Sequence, residues 1–447
     1  MRFFSLAILS VSAAAATAEW KAGVERVRIT PEDPIWMSGY ASRNRPSQGV
    51  VHDLWVKALA LEDSRHVRTV IVTTDLIGLP RGVAEQISAE ALRRYGLERP
   101  HLLLNSSHTH TGPVVGENLA TMFDLDGLQA ERIRAYTQRT TAAILDAIGG
   151  ALGRLEPARL GYAKGRAAFA VNRREFTPSG VKLGVNPNGP VDHDVPVLTI
   201  RDVRGALRAA LFGYACHNTT LTGEFYQLSG DYAGYAQLEF ERMHPGAAAL
   251  FVMLSGGDQN PHPRGREEVA QQHGRTLAAA VSQAILAGEK PLRGPLRAAF
   301  QVTELEFAPH SREDFEREKE TATGARYRRA VAMLAAYDER RPVRQIPYPV
   351  QAMRFGRQLT LVALGGETVV GLALRIKREF PVEETVVAGY SNDVMCYIPT
   401  AQILREGGYE AVDSMIYYGQ PGPFAADVEE RVIAAARRVL ARVGRKR

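Results

Sequence analysis

The chain has 447 residues, 45% hydrophobic and 23% charged, with no low-complexity tract. That balance describes a folded globular protein of one large or two ordinary domains and excludes a disordered or fibrous chain. The net charge of +6 is spread along the length, 55 Lys and Arg against 49 Asp and Glu, so a mildly basic solvated surface is expected and a nucleic-acid groove is not.

The chain opens on Met1-Arg2, an apolar run from Phe3 to Val11, and a small-residue stretch ending Ala16-Thr17-Ala18. A charged start, a short apolar core and an A-x-A site predict a signal peptide cleaved after Ala18, hence an exported protein, periplasmic or secreted. The apolar part is too short to span a bilayer, and no later segment reaches transmembrane length.

Strands are predicted over 24–30 and 58–61, either side of a Gly/Pro-rich loop. A β-branched run over 68–74 ends in Asp75, an amphipathic helix covers 82–95, and a strand covers 101–105. Helical periodicity over 128–152 is followed by a strand at 159–168 and an Asn/Pro/Gly-rich loop from 172 to 190. Strands at 196–202 and 207–216 lead to His217. Then come a helix (233–243), a strand (249–254) and a long helix (267–286). Past Gly288 the pattern gives a strand at 299–307, one charged helix over 312–340, strands at 350–355 and 359–364, and a closing helix at 424–443. The alternation points to an α/β layered core.

Asn105 to Pro113 reads NSSHTHTGP. In an extended segment His108 and His110 share a face, a natural start for a transition-metal site, although an isolated H-x-H is as readily an ordinary polar loop. Other strands also end in metal-type or acid-type side chains: Asp75, His217, Asp258 and, across Gly365-Gly366, Glu367. Singly, each reads as a cap or turn residue. Together they are hard to explain by packing alone, and α/β proteins place their sites at strand ends.

These motifs resemble the catalytic domain of the neutral (non-lysosomal) ceramidases. The family's H-T-H-S-G-P is His108-Thr109-His110-Thr111-Gly112-Pro113 here. Its second histidine motif, followed by S-D-x-x-G-Y-A, is similar to Gly213-Tyr214-Ala215-Cys216-His217 followed by Gly230-Asp231-Tyr232-Ala233-Gly234-Tyr235-Ala236. Its P-G-E glutamate corresponds to Glu367, and its closing motifs to Gly389-Tyr390-Ser391-Asn392, Tyr397 and Tyr409-Glu410. The resemblance implies an α/β fold of layered mixed sheets flanked by helices, with one zinc held by His108, His217, Glu367 and Tyr397. His110 would then line the site rather than bind the metal. Arg173 matches the family's N-R-S-P arginine, although Ser-Pro does not follow it, and Tyr409 matches a tyrosine that polarises the substrate carbonyl. Without the resemblance, Arg173 reads as a surface loop cation and Tyr409 as a packing residue. The expected activity is zinc-dependent hydrolysis of the amide of ceramide or a related N-acyl lipid. Such a substrate is compatible with peripheral contact at a membrane surface.

Two departures matter. Where the family has G-D-V-S-P-N, this chain has Gly257-Asp258-Gln259-Asn260-Pro261-His262. Asn260 replaces a serine assigned a catalytic role; its amide donates a hydrogen bond but cannot be a nucleophile. Metal-activated water is therefore the expected route, and His262 adds an imidazole that serves as base, as support or only as a loop residue. The family's C-terminal β-sandwich is also not expected, leaving residues 19–447 as one zinc hydrolase domain. Cys216 and Cys396 each precede an implied ligand. A disulfide beneath the site would need their Cα atoms within roughly 7 Å, and two buried free thiols are the alternative. Three other readings stay open: a zinc hydrolase of another amide or ester, an inactive metal-stabilised binding protein, and a (β/α)8 barrel, whose regular alternation the segments after Lys290 do not continue.

Overall fold

A computed structural model describes residues 19–381 and 384–444. The leader expected at 1–18 lies outside the described residues.

Two sheets pack face to face. The larger has nine strands, ordered in space Ala248–Met253, Leu207–Tyr214, Asp194–Asp202, Glu156–Arg166, Trp20–Arg28, Trp55–Asp63, Arg68–Thr74 and Leu102–Ser106, with Lys290–Leu292 also paired to Glu156–Arg166. Its interior is antiparallel, but the outermost pair at each end is parallel. The smaller sheet joins Leu296–Glu306, Gln345–Phe355, Leu359–Leu364 and Thr385–Ala388. A mainly antiparallel large sheet excludes the (β/α)8 barrel.

Alternation along the strands explains the layering. Leu59, Leu61, Ile71 and Leu103 point inward against Met353, Phe355, Leu361 and Val386 of the smaller sheet. Their neighbours Val56, Ala58, Val70 and Val72 point outward under the helix Gly127–Gly153 through Ile144 and Ile148. On the far side Tyr348, Val350 and Val362 meet Leu372 and Ile376 of Val370–Glu379 and Val432 and Val439 of Val428–Gly444. The result is four layers, helix–sheet–sheet–helix. Strands covered on both faces read as continuous apolar runs.

The two end strands of the large sheet are stitched together by one side chain. Asn105 accepts from Met253 N–H (2.9 Å) and donates to the carbonyls of Met253 (3.2 Å) and Gly389 (2.9 Å). Its amide therefore does the work of a strand's backbone. Asn105→Ala is expected to cost about 2–3 kcal/mol by leaving buried backbone groups unpaired. An unchanged denaturation midpoint would contradict that.

Several elements differ from expectation. The stretch 172–190 is mostly a hairpin, Ala170–Thr177 and Gly180–Asn186, turning at Gly180 (φ +112°). Its first strand buries Asn172, Arg173 and Arg174, the polar residues that suggest a loop, and pairs on its other edge with Gln259–Pro261. The charged helix is two, Arg312–Thr321 and Gly324–Asp338. A Ser311–Asp314 capping box starts the first, and left-handed Gly324 (φ +58°) separates them. The closing helix begins at Val428 rather than 424, and Phe424 instead stacks on Phe307 at 4.9 Å. Cys216 and Cys396 are buried free thiols, so the disulfide is not formed. Among the described residues no helix is long and apolar enough to cross a membrane.

Candidate metal centre

His108 follows the strand Leu102–Ser106 in a left-handed conformation (φ +62°), uncommon for a non-glycine residue. Its N–H is anchored on the Leu76 carbonyl at 2.9 Å. The segment is therefore not extended at the motif. His108 and His110 meet edge to face, ring centroids 4.8 Å apart, rather than standing side by side on one strand face. His217 leaves the strand Leu207–Tyr214 with its N–H on the Gln259 carbonyl. Glu367 comes from a two-residue strand, Glu367–Thr368, parallel to Tyr397–Ile398, and the register sets Glu367 directly beside Tyr397. Gly366, at φ +69°, makes the turn into it.

The polar atoms converge. Glu367 Oε2 lies 3.0 Å from both His108 Nε2 and His217 Nε2. Tyr397 Oη lies 3.0 Å from His217 Nε2, and His110 Nε2 lies 3.1 Å from His108 Nε2. The three histidines alone form a group able to hold a metal ion.

Hydrogen bonding at the far side of each ring decides what the near side offers. His108 Nδ1 faces the Ile77 carbonyl (2.6 Å), His110 Nδ1 that of Gly39 (3.0 Å) and His217 Nδ1 that of Gly256 (2.9 Å). A carbonyl only accepts, so this network assigns the proton to Nδ1 and leaves Nε2 a lone pair in each neutral ring. Burial, then His108, pushes His110 well below its ordinary pKa; burial, then Arg173, brings His217 to about 4. Imidazole nitrogens, a carboxylate and a phenol oxygen thus converge on one point, and this N/O donor set fits a transition metal.

Arg173 stands behind this cluster. Its Nε donates to Glu410 (2.8 Å), Nη2 to Tyr397 Oη (3.0 Å) and Nη1 toward His217 Nε2 (3.3 Å) and Asn260 Oδ1 (3.4 Å). It is buried rather than a surface cation. Burial disfavours its charge, but Tyr397 and Glu410 outweigh that and raise its pKa. Tyr409 packs edge-on to Tyr397 at 5.4 Å. His110, Arg173, Asn260, His262, Tyr397 and Tyr409 all line one cavity of about 390 Å³.

Asp75 and Asp258 end their strands as expected but do not join the cluster. Asp75 accepts from Trp55 N–H and Gln237, and Asp258 from Val370 N–H and Asn172. Both carboxylates serve the scaffold. Sequence reasoning missed Tyr418 and Tyr390, whose hydroxyls bond Glu367, and the bridging role of Glu410 between Arg173 and Arg174. Glu410, next to Tyr409, and Tyr390, in Gly389-Tyr390-Ser391-Asn392, stood in quoted motifs, whereas Tyr418 carried no signal.

The profile of the neutral/alkaline non-lysosomal ceramidase N-terminal region matches residues 20–289. The chain belongs to this family. It is 28% identical to the neutral ceramidase of Pseudomonas aeruginosa over 273 residues, 58% of this chain and 39% of that protein. This match therefore spans well under half of the relative's length. The crystal structure of neutral ceramidase from Pseudomonas aeruginosa superposes with a TM-score of 0.72 at 20% identity, covering 95% of this chain and 74% of that one. A ceramidase complexed with C2 superposes at 0.73 and 18% identity, covering 95% and 75%. At such identities the likeness is one of fold. Glu367, Tyr397 and Tyr409 lie beyond the matched family segment.

Proposed function

We propose that this protein is an exported zinc-dependent amidohydrolase acting on ceramide or a related N-acyl lipid. The observation that carries the reading is the meeting of His108, His217, Glu367 and Tyr397 in a ceramidase-family fold, with Tyr397 also lining the cavity beside His110. Zinc bound by these four would supply a Lewis acid for the amide carbonyl and lower the pKa of a coordinated water.

The chain's own residues supply the rest. His110, fixed by the Gly39 carbonyl, faces the substrate and exchanges a proton at Nε2. Arg173, locked by Glu410, keeps Tyr397 oriented and presents positive charge where oxyanion charge develops. Asn260 directs its carbonyl at Arg173 and Thr219, leaving its amide N–H groups to donate into the cavity. Tyr409 completes the wall beside the carbonyl.

The test is hydrolysis of N-acyl sphingosine and simple N-acyl amides by the purified protein, before and after chelation. Activity is expected to vanish with the metal and return with zinc. Activity indifferent to chelation would contradict the metal role. Zinc bound with no turnover of any amide would favour a binding protein, and turnover of esters alone a different hydrolase. Export predicts an N-terminus at Glu19 in protein recovered outside the cytoplasm, and an intact Met1 there would refute it.

Gly39 gives a finer check. At φ +91°, a Cβ there would sit 2.4 Å from His110 Nδ1. Gly39→Ala is expected to push the ring aside and lower kcat by about 10- to 100-fold with metal content unchanged. A normal kcat would mean that His110 does not act on the substrate.

A further inference from the structure

The cavity wall has a direction. It includes the three-stranded sheet ordered Gln259–Pro261, Ala170–Thr177, Gly180–Asn186. Neighbouring strands lie about 4.8 Å apart, so the outer two are separated by about 10 Å. From the Gly180–Asn186 strand, Leu183 and Val185 face the cavity, 49% and 43% exposed. From the middle strand comes Arg173, beside Tyr397. From the opposite edge, and just past its end, come Asn260, His262 and Arg264. Polarity therefore runs from apolar, through the reacting groups, to cationic.

Among the described residues no salt bridge reaches the cationic end, and the carboxylate that feels the Arg264 charge, Asp231, is buried behind the cavity wall and held by the Leu221 and Tyr232 N–H groups. No Asp or Glu lines the cavity among the described residues, and none pairs with Arg264. The Arg264 guanidinium is steadied by one neutral contact, Nη2 donating to Tyr40 Oη at 3.0 Å, which leaves most of its donors unused. Tyr40 in turn donates to the Leu221 carbonyl, and its ring lies 4.9 Å from that of His110. Arg264 is thus held one tyrosine ring away from the proposed proton-transfer group. Behind them Arg43 is buried on carbonyls alone, those of Ser38, His110 and Phe225, and adds positive potential without a carboxylate partner among the described residues. An exposed guanidinium that lines the cavity, makes one neutral contact and has no carboxylate in salt-bridge reach among the described residues matches a carboxylate in shape and charge, whereas a neutral hydroxylated head group leaves most of its donors unmet.

We infer that the preferred substrates are amides whose amine half carries a carboxylate, the N-acyl amino acid class, with Arg264 receiving the carboxylate and Leu183 and Val185 the start of the acyl chain. The inference rests on the amidohydrolase reading and narrows its substrate. In an N-acyl amino acid a single carbon separates the amide nitrogen from the carboxylate, which suits a reacting centre placed between the two edges.

The test compares N-lauroylglycine with N-lauroylethanolamine, which share an acyl chain and differ in the anion. With the zinc-loaded protein, kcat/KM is expected to favour the acid by about tenfold or more, expressed mainly in KM. Arg264→Gln is expected to reduce the acid-to-neutral ratio by a similar factor, with partial retention in Arg264→Lys. Because the readout is a ratio, a general loss of folding or metal does not mimic it. Equal kcat/KM for the two amides, or a ratio unmoved by Arg264→Gln, would overturn the inference and leave the amidohydrolase reading standing. Calorimetric binding of both compounds separates the opposite case: Arg264-dependent preference for the acid without cleavage of either would uphold the carboxylate site and overturn the amidohydrolase reading.

Discussion

His217→Ala is expected to abolish metal retention and to lower amide hydrolysis by at least about 10³-fold, equivalent to about 4 kcal/mol of lost transition-state stabilisation. The ring is fully buried, fixed through Nδ1 on the Gly256 carbonyl, and touches Glu367 and Tyr397 at 3.0 Å each. Removing it takes away one ligand nitrogen and leaves Glu367 held by His108 and Tyr397 by Arg173 across an opened gap. His110→Ala provides the contrast: it should lower turnover while retaining the metal, because Glu367 bonds His108 and His217 but not His110. Metal analysis alongside activity distinguishes the two variants. Full metal content in His217→Ala would remove His217 from the site.

Glu410→Ala is expected to destabilise the fold by about 3–5 kcal/mol, the typical cost of breaking a buried charge pair by removing one partner. Glu410 accepts from Arg173 at 2.8 Å and from Arg174 at 2.6 Å, with all three side chains buried. Its loss leaves two guanidinium groups without this carboxylate, and only Arg174 retains another, Glu406. Arg173 also loses the contact that aims it at Tyr397, so activity should fall with stability. Denaturant titration measures the first effect, and an unchanged midpoint would contradict it. The pH dependence has a fixed sign. Burial by itself would raise the Glu410 carboxyl, but Arg173 and Arg174 outweigh it and hold the pKa below the ordinary glutamate value. The stability from this depression is present at neutral pH, above the unfolded value, and is lost as pH falls through the folded one.

Much of the frame was legible because its strands bury both faces. Runs such as Val70-Ile71-Val72 and Leu102-Leu103-Leu104 need no partner information to be recognised, and His108 and His217 stand at the ends of such runs. The same rule also picked Asp75 and Asp258, since a strand-end carboxylate that holds backbone N–H groups looks identical in sequence to one that faces a ligand. The pairing of Glu367 with Tyr397 could not be read from pattern, because a two-residue strand has no periodicity; only motif resemblance pointed there. The hairpin through Arg173 was hidden for a different reason. Its polar residues Asn172, Arg173 and Arg174 imitate a loop in sequence although they are buried, and what makes it a strand is pairing with Gln259–Pro261, far along the chain. Tyr418 reaches Glu367 from 51 residues away, a purely tertiary contact.

Anomalous diffraction at the zinc edge, from crystals of the zinc-loaded full chain, tests the central claim most directly. The account predicts one peak at about 2.0–2.2 Å from His108 Nε2, His217 Nε2 and an oxygen of Glu367, with Tyr397 Oη as the fourth ligand and His110 outside bonding distance. A peak held by His108, His110 and His217 without Glu367 and Tyr397, or no peak between these residues, would contradict it.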